Sequence, residues 1–126
     1  MSQREIIDFR IEKAGQDLAS ARDNHAAGRL HNAIRDAYFA CFHPFSSVLL
    51  KNGQSFRKHK EVRSMLHRDY IRTDKITVEW SKHYAWLFDN RIKADYRPLV
   101  QFDTEQLREI IEKSKVFVDE MKKLIE

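Results

Sequence analysis

Apolar residues return along this chain at steps of three and four. Ile7, Ile11, Ala14, Leu18 and Ala21 form one such stripe, and Ser2-Gln3-Arg4-Glu5 just before it reads as a capping box. The spacing predicts a first helix that breaks at Gly28. A second helix is predicted from about Leu30 to Lys51, with a wide apolar face of Leu30, Ile34, Ala37, Tyr38, Cys41, Phe42, Phe45, Val48 and Leu49. Pro44 lies inside it and should kink it, because the ring removes one backbone donor. Asn52-Gly53 is the stop.

Ser55 is placed to cap a third helix over about Arg57–Tyr70, with Val62, Met65, Leu66 and Tyr70 inward and a polar turn at Thr73-Asp74 after it. A fourth helix, about Val78–Ala94, turns Trp80, Tyr84, Leu87, Phe88 and Ile92 inward and leaves Trp86 off that stripe as a candidate interface anchor. Pro98 forces residues 95–102 into a loop. Asp103 with Gln106 repeats the capping-box pattern ahead of the cleanest period in the chain, Leu107, Ile110, Ile111, Ser114, Phe117, Val118, Met121 and Leu124. No stretch alternates as a strand does. The expected fold is all-α: an antiparallel bundle of about five helices with a kinked second helix, framed by helices 1, 2 and 5. At 126 residues it is expected to be one domain, residues 1–126.

Composition narrows the function. No apolar run reaches the ~18 residues of a membrane span, and the N-terminus enters an amphipathic pattern directly. The lone Cys41 fits a reducing setting, so a cytoplasmic location is expected. The net charge of +4 is unevenly placed. Residues 1–50 balance six cations with six acids, whereas residues 51–75 set eight cations against Glu61, Asp69 and Asp74. A solvated helix face would read the same way, but such a block also suits a polyanion. Six histidines show no paired-ligand spacing, so no metal is expected. Glycine-rich phosphate loops and a Gly-x-Ser-x-Gly elbow are absent, which leaves no cofactor to expect.

Two constellations carry possible chemistry. Helix 2 groups Arg35, Asp36, Tyr38, Phe39 and His43. Helix 4 ends in Arg91-Ile92-Lys93-Ala94-Asp95-Tyr96, followed by Arg97-Pro98. Asp36 is a natural ion-pair partner for Arg91 if the two helices are neighbours. The segment is then either an ion-paired helix terminus or a phosphate-handling site.

Asp36-Ala37-Tyr38-Phe39-Ala40-Cys41-Phe42-His43, Lys58-His59-Lys60-Glu61-Val62 and Arg91-Ile92-Lys93-Ala94-Asp95-Tyr96 occur in order. Together they resemble three motifs of the HEPN domain family (higher eukaryotes and prokaryotes nucleotide-binding), in its branch with an Arg-x-x-Ala-Asp-Tyr motif. The Phe117-Val118 end is similar too, and the resemblance covers about residues 10–125. It implies a helical bundle that dimerises, and a nucleotide- or RNA-binding protein forming one half of a toxin–antitoxin-like pair with a minimal nucleotidyltransferase. Many members are metal-independent endoribonucleases, in which an arginine holds the scissile phosphate and a histidine beyond four to six intervening residues transfers a proton. Here the corresponding places hold Tyr96, Arg97 and Pro98. Carried onto this chain, the resemblance selects Arg91, Asp95, Tyr96 and His43 as catalytic candidates, with Tyr96 also the residue a partner would modify with AMP. His43 or His59 could replace the missing histidine if folded close to Arg91. Arg57, Lys58, His59, Lys60, Arg63, Lys93 and Arg97 are the nucleic-acid-binding candidates. A non-catalytic helical interaction module, with Arg91, Asp95 and Asp36 in structural ion pairs, stands as the alternative.

Overall fold

The computed structural model describes residues 1–126, and every regular element in it is helical. These elements are α1 (Gln3–Ala26), α2 (Leu30–Lys51), α3 (His59–Met65) running into a π-helical turn (Leu66–Ile71), α4 (Val78–Tyr96) and α5 (Thr104–Ile125). Their order and type are those read from the periodicity: an all-α antiparallel bundle.

Helix α2 is the axis. It packs on α1, α4 and α5, and 13 of its 22 residues are buried, too many for a surface helix with a single apolar stripe. Tyr38, Cys41, Phe45 and Leu49 meet Tyr84 and Leu87 of α4 and Leu107, Ile111 and Phe117 of α5 within one apolar cluster. Each large side chain buried there contributes roughly 1.5–3 kcal/mol of transfer free energy. The helix continues through Pro44. Just beyond the proline, the hydroxyls of Ser46 and Ser47 both donate back to the His43 carbonyl, at 2.8 and 3.0 Å.

Local signals set the ends. Ser2 accepts from the Glu5 amide and Asp103 from the Gln106 amide, so both act as the N-caps read from the sequence, without the return bond from the third residue that would complete a capping box. Gly28 takes φ +79° just past α1, where a side chain would be strained. The third helix departs from its expected start. Lys58 is extended and α3 begins at His59, with no side chain capping it. Asp74 closes the following turn at φ 60°, a conformation aspartate tolerates better than most.

One ring sets the path out of α4. His31 of α2 lies with Nδ1 3.0 Å from the Ala94 carbonyl oxygen and Nε2 3.0 Å from that of Val100. Phe102 packs edge-on against it. The 97–103 connection is thereby tied to α2, and Arg91 is held one turn before that tie.

Candidate functional site

The site is organised by Tyr38, whose side chain is fully buried in α2. Across its face lies Arg91 of α4, with the guanidinium carbon 4.7 Å from the ring centroid and 5.8 Å from that of Phe39. At its hydroxyl lies His59 of α3, with Nδ1 2.9 Å from the Tyr38 oxygen. Phe42 supports the imidazole from one side, stacked at 4.3 Å and 13°. From the core, the Tyr84 hydroxyl donates to the Tyr38 hydroxyl at 3.4 Å. Three helices thus deliver a cation, a phenol and an imidazole to one place.

Helical geometry explains the grouping. Tyr38 and Phe42 are four apart and share the α2 face turned towards α3 and α4. Asp36 lies two residues before Tyr38, on a different side of the helix. It therefore does not pair with Arg91, as the sequence suggested, but accepts from the Asn24 amide of α1 at 2.7 Å.

Arg91 is only partly matched. Its side chain is 19% exposed, and its single ion pair is a long one, Nη1 to Asp95 Oδ2 at 3.5 Å. Nε is buried without an acceptor and rests on aromatic rings instead. Nη2 has no partner and is not sealed in. A guanidinium held against an aromatic floor, with donors left over, is suited to an anion arriving from solvent.

The titrating groups respond to burial and to that cation. Burial lowers the His59 pKa and the Arg91 charge lowers it further, so the ring is neutral at pH 7. Burial raises the Tyr38 pKa, against the Tyr84 hydrogen bond and the Arg91 charge. Tyr84, deeper still, is raised well above the ordinary phenol value by burial.

The other sequence candidates fall into three sets. His43 stacks on Phe39 at 5.8 Å and lies 3.7 Å from Asp17, one ring removed from Arg91. Burial, then Lys13, Arg10 and His59, hold its pKa down. It lines an open cleft of about 310 Å³ with Lys13, Asp17, Arg35, Asp36 and Phe39. Asp95 pairs with Arg91, while Tyr96 is 78% exposed and makes no hydrogen bond with it. In the basic segment, Arg57, Lys58 and Lys60 are exposed around His59, as are Lys93 and Arg97 beyond Arg91. Arg63 is engaged within the fold, on Asp89 at 2.9 Å and over Phe88. Trp86 is half-buried against the core. Sequence reasoning did not assign Tyr84 to the site or make Tyr38 its hub. The available signal was the need of a buried phenol for a partner, and α2 and α4 each carry one.

Bundle, order of elements and site residues together define a helical domain of known type. The HEPN domain model matches residues 7–124, and the chain belongs to that family. It is 35% identical over 127 residues to the UPF0332 protein of Thermotoga maritima, a match covering 100% of this chain and 96% of that one. Two Methanocaldococcus jannaschii proteins are also similar. "Putative toxin MJ0605" is 28% identical over 122 residues, covering 97% of this chain and 90% of that protein. "Putative toxin MJ0142" is 24% identical over 115 residues, covering 91% and 78%. No helix is long and apolar enough to cross a membrane.

Proposed function

We propose that this chain, as one HEPN unit over residues 1–126 in the branch with the Arg-x-x-Ala-Asp-Tyr motif, binds a phosphate of RNA or of a nucleotide. It would act as the toxin-like half of a pair with a minimal nucleotidyltransferase. The observation that carries this reading is Arg91: seated on Tyr38, held to Asp95 by one long contact, and with Nη2 open. Arg57, Lys58, Lys60, Lys93 and Arg97 extend positive potential around it. The names of the two archaeal relatives support the toxin-like setting, and the solvent-facing Tyr96 suits modification by a partner enzyme.

A homodimer is part of the proposal. Ile92, Tyr96 and Leu99 are 39%, 78% and 93% exposed beside Arg91, an apolar group that a second copy would cover.

The test is binding of a fluorescent single-stranded RNA and of ATP by wild type and Arg91→Ala. Loss of binding in a variant with unchanged helicity and melting temperature supports the reading. A variant that melts markedly lower, from a wild type that binds neither ligand, would instead identify a structural ion-pair module.

A further inference from the structure

We infer that His59 is a second phosphate donor beside Arg91, its proton fixed on Nε2 by a relay of two tyrosines, so that the site grips a phosphate without cleaving an RNA backbone. This rests on the reading of Arg91 as the phosphate ligand.

The argument begins at the buried end. The Tyr84 hydroxyl lies in the core, and the Tyr38 oxygen, at 3.4 Å, is its one hydrogen-bond acceptor. A buried phenol without an acceptor is costly, so Tyr84 donates and Tyr38 receives. The Tyr38 proton must then go elsewhere, and the one acceptor at hand is His59 Nδ1, at 2.9 Å. A neutral imidazole carries a single proton. With Nδ1 accepting, that proton sits on Nε2.

Nε2 has no partner in the protein and is not sealed in. It presents an N–H to solvent from the same aromatic floor that carries Arg91. The charged and titratable groups around the ring are Tyr38 and His43 of α2, Arg91 of α4, and Lys58 and Lys60 next to it in sequence; no carboxylate contacts either ring nitrogen. Burial and the neighbouring guanidinium disfavour a second proton, which keeps the ring neutral at pH 7.

A base that removes a ribose 2′-hydroxyl proton needs a lone pair at its exposed edge. His59 has a hydrogen there. Swapping tautomers would make Nδ1 a donor to an oxygen already receiving Tyr84, and would leave the Tyr38 proton without an acceptor. His43 offers no replacement, because it faces Asp17 and is separated from Arg91 by Phe39. The pair Arg91 Nη2 and His59 Nε2 therefore supplies two donors, one charged and one neutral. The ligand is a phosphate oxygen, from a phosphodiester or from the terminal phosphate of a nucleotide.

Two isosteric variants separate this role from mere support of Tyr38. His59→Gln places an amide N–H near the Nε2 position, while His59→Asn keeps a partner for Tyr38 but none at the outer edge. Binding is measured to a single-stranded RNA with hydroxyl ends and to ATP. His59→Asn should weaken binding about tenfold, and His59→Gln should stay within about threefold of wild type. Binding of the hydroxyl-ended RNA identifies the phosphodiester source, and binding of ATP alone the terminal phosphate; with His59 dependence, either supports the inference. Nitrogen-15 NMR of wild type at pH 7 should find the His59 proton on Nε2. The RNA should remain intact in EDTA and in magnesium.

Cleavage by wild type that His59→Asn abolishes would overturn the inference, as would a proton on Nδ1. Binding that needs Arg91 and ignores His59→Asn overturns this assignment and leaves the Arg91 reading standing. Binding of neither ligand by wild type removes both.

Discussion

Two buried tyrosines sit at two places in this bundle, and their surroundings differ in one respect. Tyr70, in the π-helical turn, receives the Asn52 amide at 2.8 Å and donates to Gln54 at 2.6 Å. Gln54 goes on to Asp69, and the chain ends there in a two-point ion pair with the exposed Arg68. Lys75 lies over the ring at 5.7 Å. Tyr38 has the same ingredients: a hydroxyl with two partners and a cation over its face. Its network does not end in an ion pair. It runs from Tyr84 through Tyr38 to His59 and stops at an open nitrogen, under an arginine with a donor unused. A polar chain that ends in an ion pair has its charge already matched; one that ends at an unpaired nitrogen beside a cation leaves capacity for a ligand.

The sharpest way to break this contrast is to remove the Tyr70 ring. Tyr70→Ala should lower unfolding stability by about 3–5 kcal/mol, as for other buried aromatics, measured by urea titration. The affinity of the folded fraction for RNA should not change.

Acid provides the next test. His83 is buried, with Nε2 3.0 Å from Ser114 Oγ, and burial depresses its pKa to about 4. The unfolded chain takes up a proton near pH 6.5 while the folded chain resists, so stability is full above about 6.5 and falls as pH drops towards 4. The loss approaches about 3 kcal/mol. Melting temperature against pH should flatten over this range in His83→Gln. His83 is buried in the core, and its variant should bind RNA as wild type does.

Arg91→Ala comes third. RNA affinity should fall about 10–100-fold, the value of a charge-assisted contact, with stability within about 1 kcal/mol of wild type. Tyr70→Phe and Tyr38→Phe then isolate the hydroxyls. Each should cost about 1–2 kcal/mol of stability, but only Tyr38→Phe should also alter binding, by freeing the His59 tautomer. The smallest effect belongs to the rim. Lys58→Ala and Lys60→Ala should each reduce the salt dependence of binding by about one ion, read from affinities at several salt concentrations.

Much of this architecture was legible in the amino-acid pattern. The stripes of α1, α2 and α5 place Ala14, Ile34 and Phe117 in the core, where they are fully buried. The capping-box patterns at Ser2 and Asp103 mark real helix starts. The π turn was not readable, because Val62, Leu66 and Tyr70 fit an α-helical step as well as a wider one. Nor was the site. Asp36 and Arg91 are opposite charges on adjacent helices, and pairing them ignored the side of α2 on which Asp36 lies; Asn24 takes it instead. His59 reaches Tyr38 across 21 positions of sequence, through a loop whose path no local rule sets. Charge and periodicity reveal which residues are available. Which of them meet depends on how three helices are rotated about their axes.

The ring of His31 sits between two backbone carbonyls, those of Ala94 and Val100; as a neutral imidazole it donates to one of them, and to both only when it carries two protons. Between those carbonyls Tyr96 and Leu99 stand outward like teeth on a short bridge. A bridge held against α2 by that ring surrenders less freedom when something settles on it than a loose one would, so a molecule docking there meets a shape partly set. Cutting the pin with His31→Ala would leave both teeth in place and take away the advance preparation, slowing capture more than it changes what is captured.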